Sequence, residues 1–301
     1  MSTYSSGSTV VLKYIVEVTY GTTPATPTMK VLRGRPSKID LKKETYTSDE
    51  VRSDRAISDV RHGMRKAEAS IDGDFLFNDW DDFIEAGLQG TWTANVCKLG
   101  TTVRSFSIEQ GFTDIAQYRL FKGMCVNKIK VSCKPGAMAS ITFDFIGRDE
   151  VTAGATAATS TTAAGTTSPM SYNLGTVTEG GSGIVYLTGI EFEIDNGLAH
   201  VGVIGSDLTP AVFNGRSSIK GTVTALFKDQ VMLNKFLNET ESSIVLTLID
   251  PAANQHVITL PRVKYTGGDV APPKEGPVII TLPFEALYHS GSSTNISWSR
   301  V

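Results

Sequence analysis

Apolar and polar residues alternate with a period of two through most of this chain, and the alternation recurs in the same order in each half. In the first half it marks Ser37 to Lys42 (Ile39, Leu41), Lys66 to Phe77 (Ile71, Phe75, Phe77), Trp92 to Leu99, Val103 to Gly111, Tyr118 to Cys125, the basic run Val126 to Lys134, and Ile141 to Ile146. In the second half it marks Gly189 to Ile194, Arg216 to Phe227, Leu260 to Tyr265 and Ile279 to Phe284. Each stretch predicts a half-buried strand. The shared order of strand, long loop, strand, helix and further strands predicts a duplicated unit, and a unit repeated at fixed spacing buries its faces against copies of itself.

Helical spacing appears after each strand of the repeated pair. Asn78 is expected to cap a short helix with Asp79, Asp81 and Asp82 in its first turn, where carboxylates favour the positive end. Trp80, Phe83, Ile84 and Leu88 share one face, and Gly87 with Gly90 supplies the exit. Three close carboxylates also suit a cation, but no histidine or further acidic cluster joins them in sequence, so capping is the preferred reading.

These elements divide the chain into an N-terminal arm (1–30), a first β domain (31–150), a linker or exposed loop (151–180), a second β domain (181–290) and a C-terminal tail (291–301). In the arm, Val10 to Tyr20 alternates weakly, and Pro24 and Pro27 hold the following backbone extended. Ala153 to Pro169 is nearly all Ala, Thr, Ser and Gly, a composition that buries too little apolar surface to offset its chain entropy.

Between the first two strands of the first domain, Glu44 to Lys66 is dense in charges of both signs. It reads either as a solvated surface loop or as a contact with a neighbouring subunit, because loops of this length are uncommon without a function. Its Asp49, Glu50, Arg52, Asp54, Arg55, Asp59 and Arg61 are the candidate inter-subunit residues. The corresponding stretch of the second half, Asp195 to Gly215, is mostly neutral.

Composition narrows the function further. The chain has 301 residues and a formal net charge of −3, which disfavours a dedicated nucleic-acid binder. Cys97, Cys125 and Cys133 form no CxxC pair, and Cys97 and Cys125 fit small buried positions. Met1 to Thr9 lacks the basic start and apolar centre of a signal peptide, and no apolar run approaches the roughly 20 residues of a membrane span. His62, His200, His256 and His289 have no metal-ligand spacing. There is no Gly-x-Ser-x-Gly elbow, and Glu179-Gly-Gly-Ser-Gly183 lacks the Gly-Lys-Ser/Thr ending of a phosphate loop. No catalytic residue, cofactor or metal is expected.

Several segments taken in order resemble a known family: Val18-Thr-Tyr20-Gly-Thr-Thr-Pro24-Ala-Thr-Pro27, then Val51-Arg-Ser-Asp54-Arg55-Ala-Ile57-Ser-Asp59-Val-Arg61-His-Gly63. In the second half they are Glu179-Gly-Gly-Ser182, Ile194-Asp195-Asn196-Gly197-Leu198, Val203-Ile-Gly205-Ser206 and Leu260-Pro261-Arg262-Val263-Lys264. The chain resembles the major tail tube proteins of siphophages, in the duplicated two-domain form. That resemblance implies a mainly β fold of two tandem tail-tube-type β-sandwich domains, each with a short flanking α-helix, contributing strands to an inter-subunit β-barrel. It implies a structural protein of the virion tail, assembled in the host bacterial cytoplasm into stacked rings that conduct genome DNA. Implied partners are further copies of the chain (a homotrimer of pseudo-sixfold symmetry, or a hexamer), a tape measure protein in the lumen, tail terminator and tail-tip proteins, and DNA in transit, with no membrane. Two rival readings remain at this stage. One is a two-domain β-sandwich adhesin or carbohydrate-binding virion module using Trp298, and the other is an all-β enzyme whose carboxylates converge in space.

Overall fold

The structure is a computed structural model that describes residues 4–301; Met1–Thr3 of the expected arm lie outside the described residues. The first half contains β1 (Val10–Val16), β2 (Thr28–Leu32), β3 (Arg35–Thr47), β4 (Val60–Asp74), α1 (Asp81–Leu88), β5 (Val96–Lys98), β6 (Ser105–Phe112), β7 (Gln117–Cys133), β8 (Ser140–Gly147), β9 (Asp149–Ala153) and β10 (Ser160–Thr162). The second half contains β11 (Thr176–Glu179), β12 (Ser182–Gly183), β13 (Leu187–Asp195), β14 (Ala199–His200), β15 (Val212–Phe213), β16 (Ser218–Leu226), α2 (Val231–Leu237), β17 (Ser242–Ile249), β18 (Gln255–Tyr265), β19 (Asp269–Ala271), β20 (Ile279–Ala286) and β21 (Ser297–Arg300).

Strand pairing repeats between the halves. β3 pairs with β4, β4 with β8, β8 with β7 and β7 with β6, all antiparallel. In the second half β13 pairs with β16, β16 with β20, β20 with β18 and β18 with β17, again all antiparallel. The C-terminal part of β7 then pairs with β13, so the two sheets fuse into one that runs β3-β4-β8-β7-β13-β16-β20-β18, with β19 continuing β18 along β20.

A second layer covers one face of this sheet. The long strand β7 leaves the main sheet at its N-terminal end to pair with β6 and β9, and β6 carries β1 and then β2. The second half builds its layer from β11, β17, the N-terminal part of β18, β21 and β5, the last contributed by the first half. Between the layers of the first half lie Trp80, Phe83, Phe106, Phe143 and Phe145, all essentially inaccessible to solvent. Phe83 meets Phe106 edge to face at 4.9 Å and Phe145 at 5.1 Å. Burying each such ring stabilises by about 1.5–3 kcal/mol. Helix α1 lies directly on β7 because Gly87 has no side chain; a methyl there would collide with Ile129 and Val126. Cys97 and Cys125 are buried.

Three segments differ from their sequence reading. The arm is a core element: β1 pairs along its whole length with β6, burying Leu12 and Tyr14. Just beyond it, buried Glu17 accepts bonds from the Ser105 and Ser107 hydroxyls and the Gly21 and Gly123 amides, all at 2.7–2.9 Å. The Ala/Thr/Ser/Gly stretch is largely exposed, in keeping with its composition, but it is fastened at several points: Glu109 accepts from the Thr156 hydroxyl (2.6 Å) and the Ala157 amide (2.5 Å), Ser160–Thr162 runs parallel to Thr28–Lys30, and Met170 just after it is buried. Its backbone amides find partners without apolar side chains having to drive the pairing. The tail ends in β21, inserted between β18 and β5, and Trp298 is fully buried.

Asn78 is no helix cap. It sits in a left-handed turn (φ 67°), while Trp80 occupies the cap position without a side-chain bond. The three carboxylates nearby hold separate partners. Asp79 accepts from the Gly165 amide at 3.0 Å, Asp82 from the Tyr14 hydroxyl at 2.7 Å, and Asp81 pairs with Arg300. The helix ends at Gln89, which takes the left-handed conformation (φ 51°) expected of a terminating residue.

Candidate functional site

Directly opposed residues form rows across an antiparallel sheet, and alternate residues share a face. Along the main sheet one row reads Asp72, Thr142, Lys130, Glu193, Lys220, Glu285, Lys264. Its neighbour reads Lys38, Ser70, Asp144, Lys128, Asp195, Ser218. The intervening rows, which include Ile71, Phe143, Ile129, Ile194 and Ile219, are buried on the opposite face. The main sheet therefore has one apolar face in the core and one face of alternating charge in solvent. On the charged face a depression of about 430 Å³ lies among Lys130, Glu193, Lys220, Pro283 and Glu285.

Charge pairing is densest where the halves join. The Lys128 ammonium donates to Glu193 at 2.8 Å and approaches Asp195 at 2.9 Å, and Lys134 approaches Glu191 at 3.0 Å. The hydrogen bonds to Glu193 and then Asp195 hold Lys128 well above the usual lysine range. The basic strand read from the sequence thus faces an acidic strand of its own chain. Sequence reading missed this seam, although the matching signal was present in Lys128-x-Lys130 and Glu191-x-Glu193-x-Asp195.

Both ends of the main sheet are open. Among the described residues β3 has no strand on the edge away from β4, and beyond Val263 the β18–β19 segment has none on the edge away from β20. An open edge presents a line of backbone donors and acceptors to any extended chain.

The charged stretch forms a projecting β-hairpin. Pairing of β3 with β4 continues through Thr45–His62 and Thr47–Val60, well past Ala67–Gly147 where β4 leaves β8, so only residues 48–59 form a loop. Asp49, Glu50, Arg52, Asp54, Arg55 and Asp59 lie on that tip and Arg61 on β4 beside it, all exposed. Arg52 grips Asp54 with two bonds (3.0 and 2.8 Å) and Arg61 bonds Asp59 at 2.7 Å. Asp49, Glu50 and Arg55 have no ion pair among the described residues. Pairs this exposed are screened by solvent and contribute little, so they leave the tip without a packed anchor. Val51 at 97% and Ile57 at 70% exposure add apolar surface to the same tip.

The neutral loop of the second half leans on the base of this hairpin. Arg65 bridges Asp149 (3.1 Å) and Asp207 (2.6 Å), and its backbone amide donates to the Asp207 carbonyl at 2.8 Å. Ile204 stands fully exposed on that loop.

Elsewhere the chemistry is sparse. No three His, Cys, Asp or Glu side chains converge on a metal position among the described residues, and no helix among them is long and apolar enough to cross a membrane. His256 is buried between Phe75 and Trp298, its Nδ1 accepting from the Trp298 indole at 3.0 Å.

A family described as phage tail tube protein matches residues 7–286, a span that includes both units, their seam and the hairpin. The chain belongs to the phage tail tube family. It is a structural protein of the phage virion tail, and its mainly β architecture agrees with that membership. A comparison with curated proteins returns no match.

Proposed function

We propose that this tail tube subunit builds rings of three chains, each chain supplying two equivalent units of four main-sheet strands. Three chains close into a barrel of roughly 24 strands, which leaves no unpaired edge. One observation carries this reading: the same four pairings occur twice in a single chain, are joined edge to edge by β7 and β13, and leave the outermost edges open. A heterologous edge contact closes into a ring when its rotation allows, and stacking of such rings gives a tube. In this reading the chain is of the siphophage, duplicated type.

The charged face of the sheet lines the channel. Its acidic and basic residues alternate, so few cations remain uncompensated to hold DNA phosphates by counterion release, and the genome passes without being gripped. The role is confinement, without turnover. During assembly the lumen holds a tape measure protein, and terminator and tip proteins close the ends. The hairpin tip, through Asp49, Glu50, Arg52, Asp54, Arg55, Asp59 and Arg61, bridges to neighbouring subunits or rings. Nothing favours the adhesin alternative, since Trp298, its candidate ligand-stacking residue, is buried.

Native mass spectrometry of rings released from tubes by mild denaturant tests the stoichiometry. Three chains per ring are expected; six would replace the trimer with a hexamer.

A further inference from the structure

We infer that the ring closes by antiparallel pairing of the β3 edge of one copy with the β18–β19 edge of the next, in the register that β13 and β7 already use within the chain. The inference rests on the ring reading above and adds to it the two edges and their residue partners.

The internal seam serves as template because three consecutive positions on each side of it have counterparts at an open edge. In β8, Thr142 stands between Asp72 of β4 and Lys130 of β7; in β20, Thr281 stands between Thr224 of β16 and Asp269 of β19. Asp269 therefore holds the place of Lys130, Val270 that of Val131 and Ala271 that of Ser132. On the other side, matching Thr142 with Thr281 also matches Ser70 with Thr222 and Glu68 with Lys220. Their outer partners are Lys38 and Asp40 in β3, Glu191 and Glu193 in β13. Lys38 thus holds the place of Glu191, Ile39 that of Phe192 and Asp40 that of Glu193.

Within the chain Ser132 faces Glu191, Val131 faces Phe192 and Lys130 faces Glu193. Carried to the open edges, Ala271 of one copy faces Lys38 of the next, Val270 faces Ile39, and Asp269 faces Asp40. The apolar pair continues the buried row of the core. Asp269 and Asp40 repel directly, but Lys38 and Lys42 flank Asp40 on the same face as diagonal neighbours of Asp269, the relation in which Lys128 reaches Glu193 at 2.8 Å inside the chain.

The β3 edge is guarded in the single chain. At the internal seam the Asn196 amide donates to the Asn127 carbonyl, so alternate residues of β13, Phe192 among them, direct their backbone groups at β7. By the same alternation the Ile39 carbonyl points to the next copy. It accepts a 3.3 Å bond from Arg119, a side chain held by Glu150 at 2.6 Å, and Arg119 has to share or release this carbonyl as the strand arrives.

Paired cysteines in the full chain, in a Cys133→Ser background, test the register. Lys38→Cys with Ala271→Cys places two thiols at a non-hydrogen-bonded pair, Cβ atoms about 4.5 Å apart, within reach of a disulfide. Mild oxidation of assembled protein is expected to give covalent dimers and trimers on a non-reducing gel, whereas each single variant stays monomeric. Lys42→Cys with Ala271→Cys, four residues out of register, is expected to give none. Ser132→Cys with Glu191→Cys should close within one chain and so reports that such variants are folded. Rings that form without the Lys38–Ala271 crosslink, or with the out-of-register one, overturn the seam and leave the ring reading standing. Absence of any oligomer of the unsubstituted chain overturns both.

Discussion

Lys128 and Glu193, 65 positions apart in the chain, meet at 2.8 Å across the only direct strand pairing between the two halves of the main sheet, among the described residues. Both side chains keep a third or more of their exposure, so the attraction is screened and worth at most about 1 kcal/mol. Reversing one charge does more, because Lys128→Glu places a third carboxylate beside Glu193 and Asp195. We expect Lys128→Glu to lower the urea unfolding free energy by about 1–2 kcal/mol, and Glu193→Lys in the same chain to recover at least half. Equal losses in the single and double variants would contradict a specific pair.

Trp298 closes the second layer from the end of the chain. It is fully buried against Phe75, 6.0 Å between ring centroids, and its indole N–H is satisfied by His256. Removing such a side chain loses its transfer energy and leaves a cavity, so Trp298→Ala is expected to cost about 3–5 kcal/mol in urea unfolding. A cost below about 1 kcal/mol would mean that the C-terminal strand is dispensable.

His256 gives the fold a particular dependence on pH. Burial, and after it the charge of Arg300, pushes the imidazole down to about 3, whereas an unfolded histidine titrates near ~6.5. Between those values the unfolded chain binds a proton that the folded chain refuses. Stability is therefore complete above about pH 6.5 and falls on acidification by up to about 1.4 kcal/mol per unit. Urea midpoints at pH 7, 6 and 5 should show this slope, and His256→Gln should flatten it. His200, lowered by burial and then by Lys66, acts in the same direction and is retained in both proteins. Equal slopes in the two proteins would remove His256 from the account.

The hairpin tip is proposed to act in assembly and is expected to contribute little to folding. Replacing Arg52, Asp54, Arg55 and Asp59 together with Ser is expected to leave the urea unfolding midpoint essentially unchanged, because the two ion pairs it removes are exposed and local. Tube yield, measured by sedimentation and microscopy, should fall strongly. Unchanged yield would remove the tip from the assembly surface.

What could be read from the sequence followed the range of the interaction. Ile39, Ile71, Ile141 and Phe143 announced the main sheet because alternation is local, and Phe83, Ile84 and Leu88 announced α1 for the same reason. The arm hid its strand because Leu12 and Tyr14 are buried through partners far along the chain, β6 on one side and, for Tyr14, Phe83 of α1. Ser160–Thr162 joins β2 through backbone bonds, which a polar sequence does not advertise, and Ser297–Arg300 carries only Trp298 as an apolar signal for its distant partners. Of the candidate assembly surface, the charged hairpin was legible by composition. Its β form was not, because the ladder through Tyr46 and Arg61 carries no apolar alternation. The open edges were not legible at all, since an edge is defined by the partner a strand lacks.

The most direct test of the ring is cryo-electron microscopy of tubes grown from the purified chain, averaged down the axis. The expected result is a hollow ring of three chains with a continuous inner barrel of roughly 24 strands, β7 against β13 alternating with β18–β19 against β3 around it, and the Lys130–Glu193 row facing the lumen. Six identical chains per ring, or an inner wall built from the layer that contains β1 and β6, would contradict it.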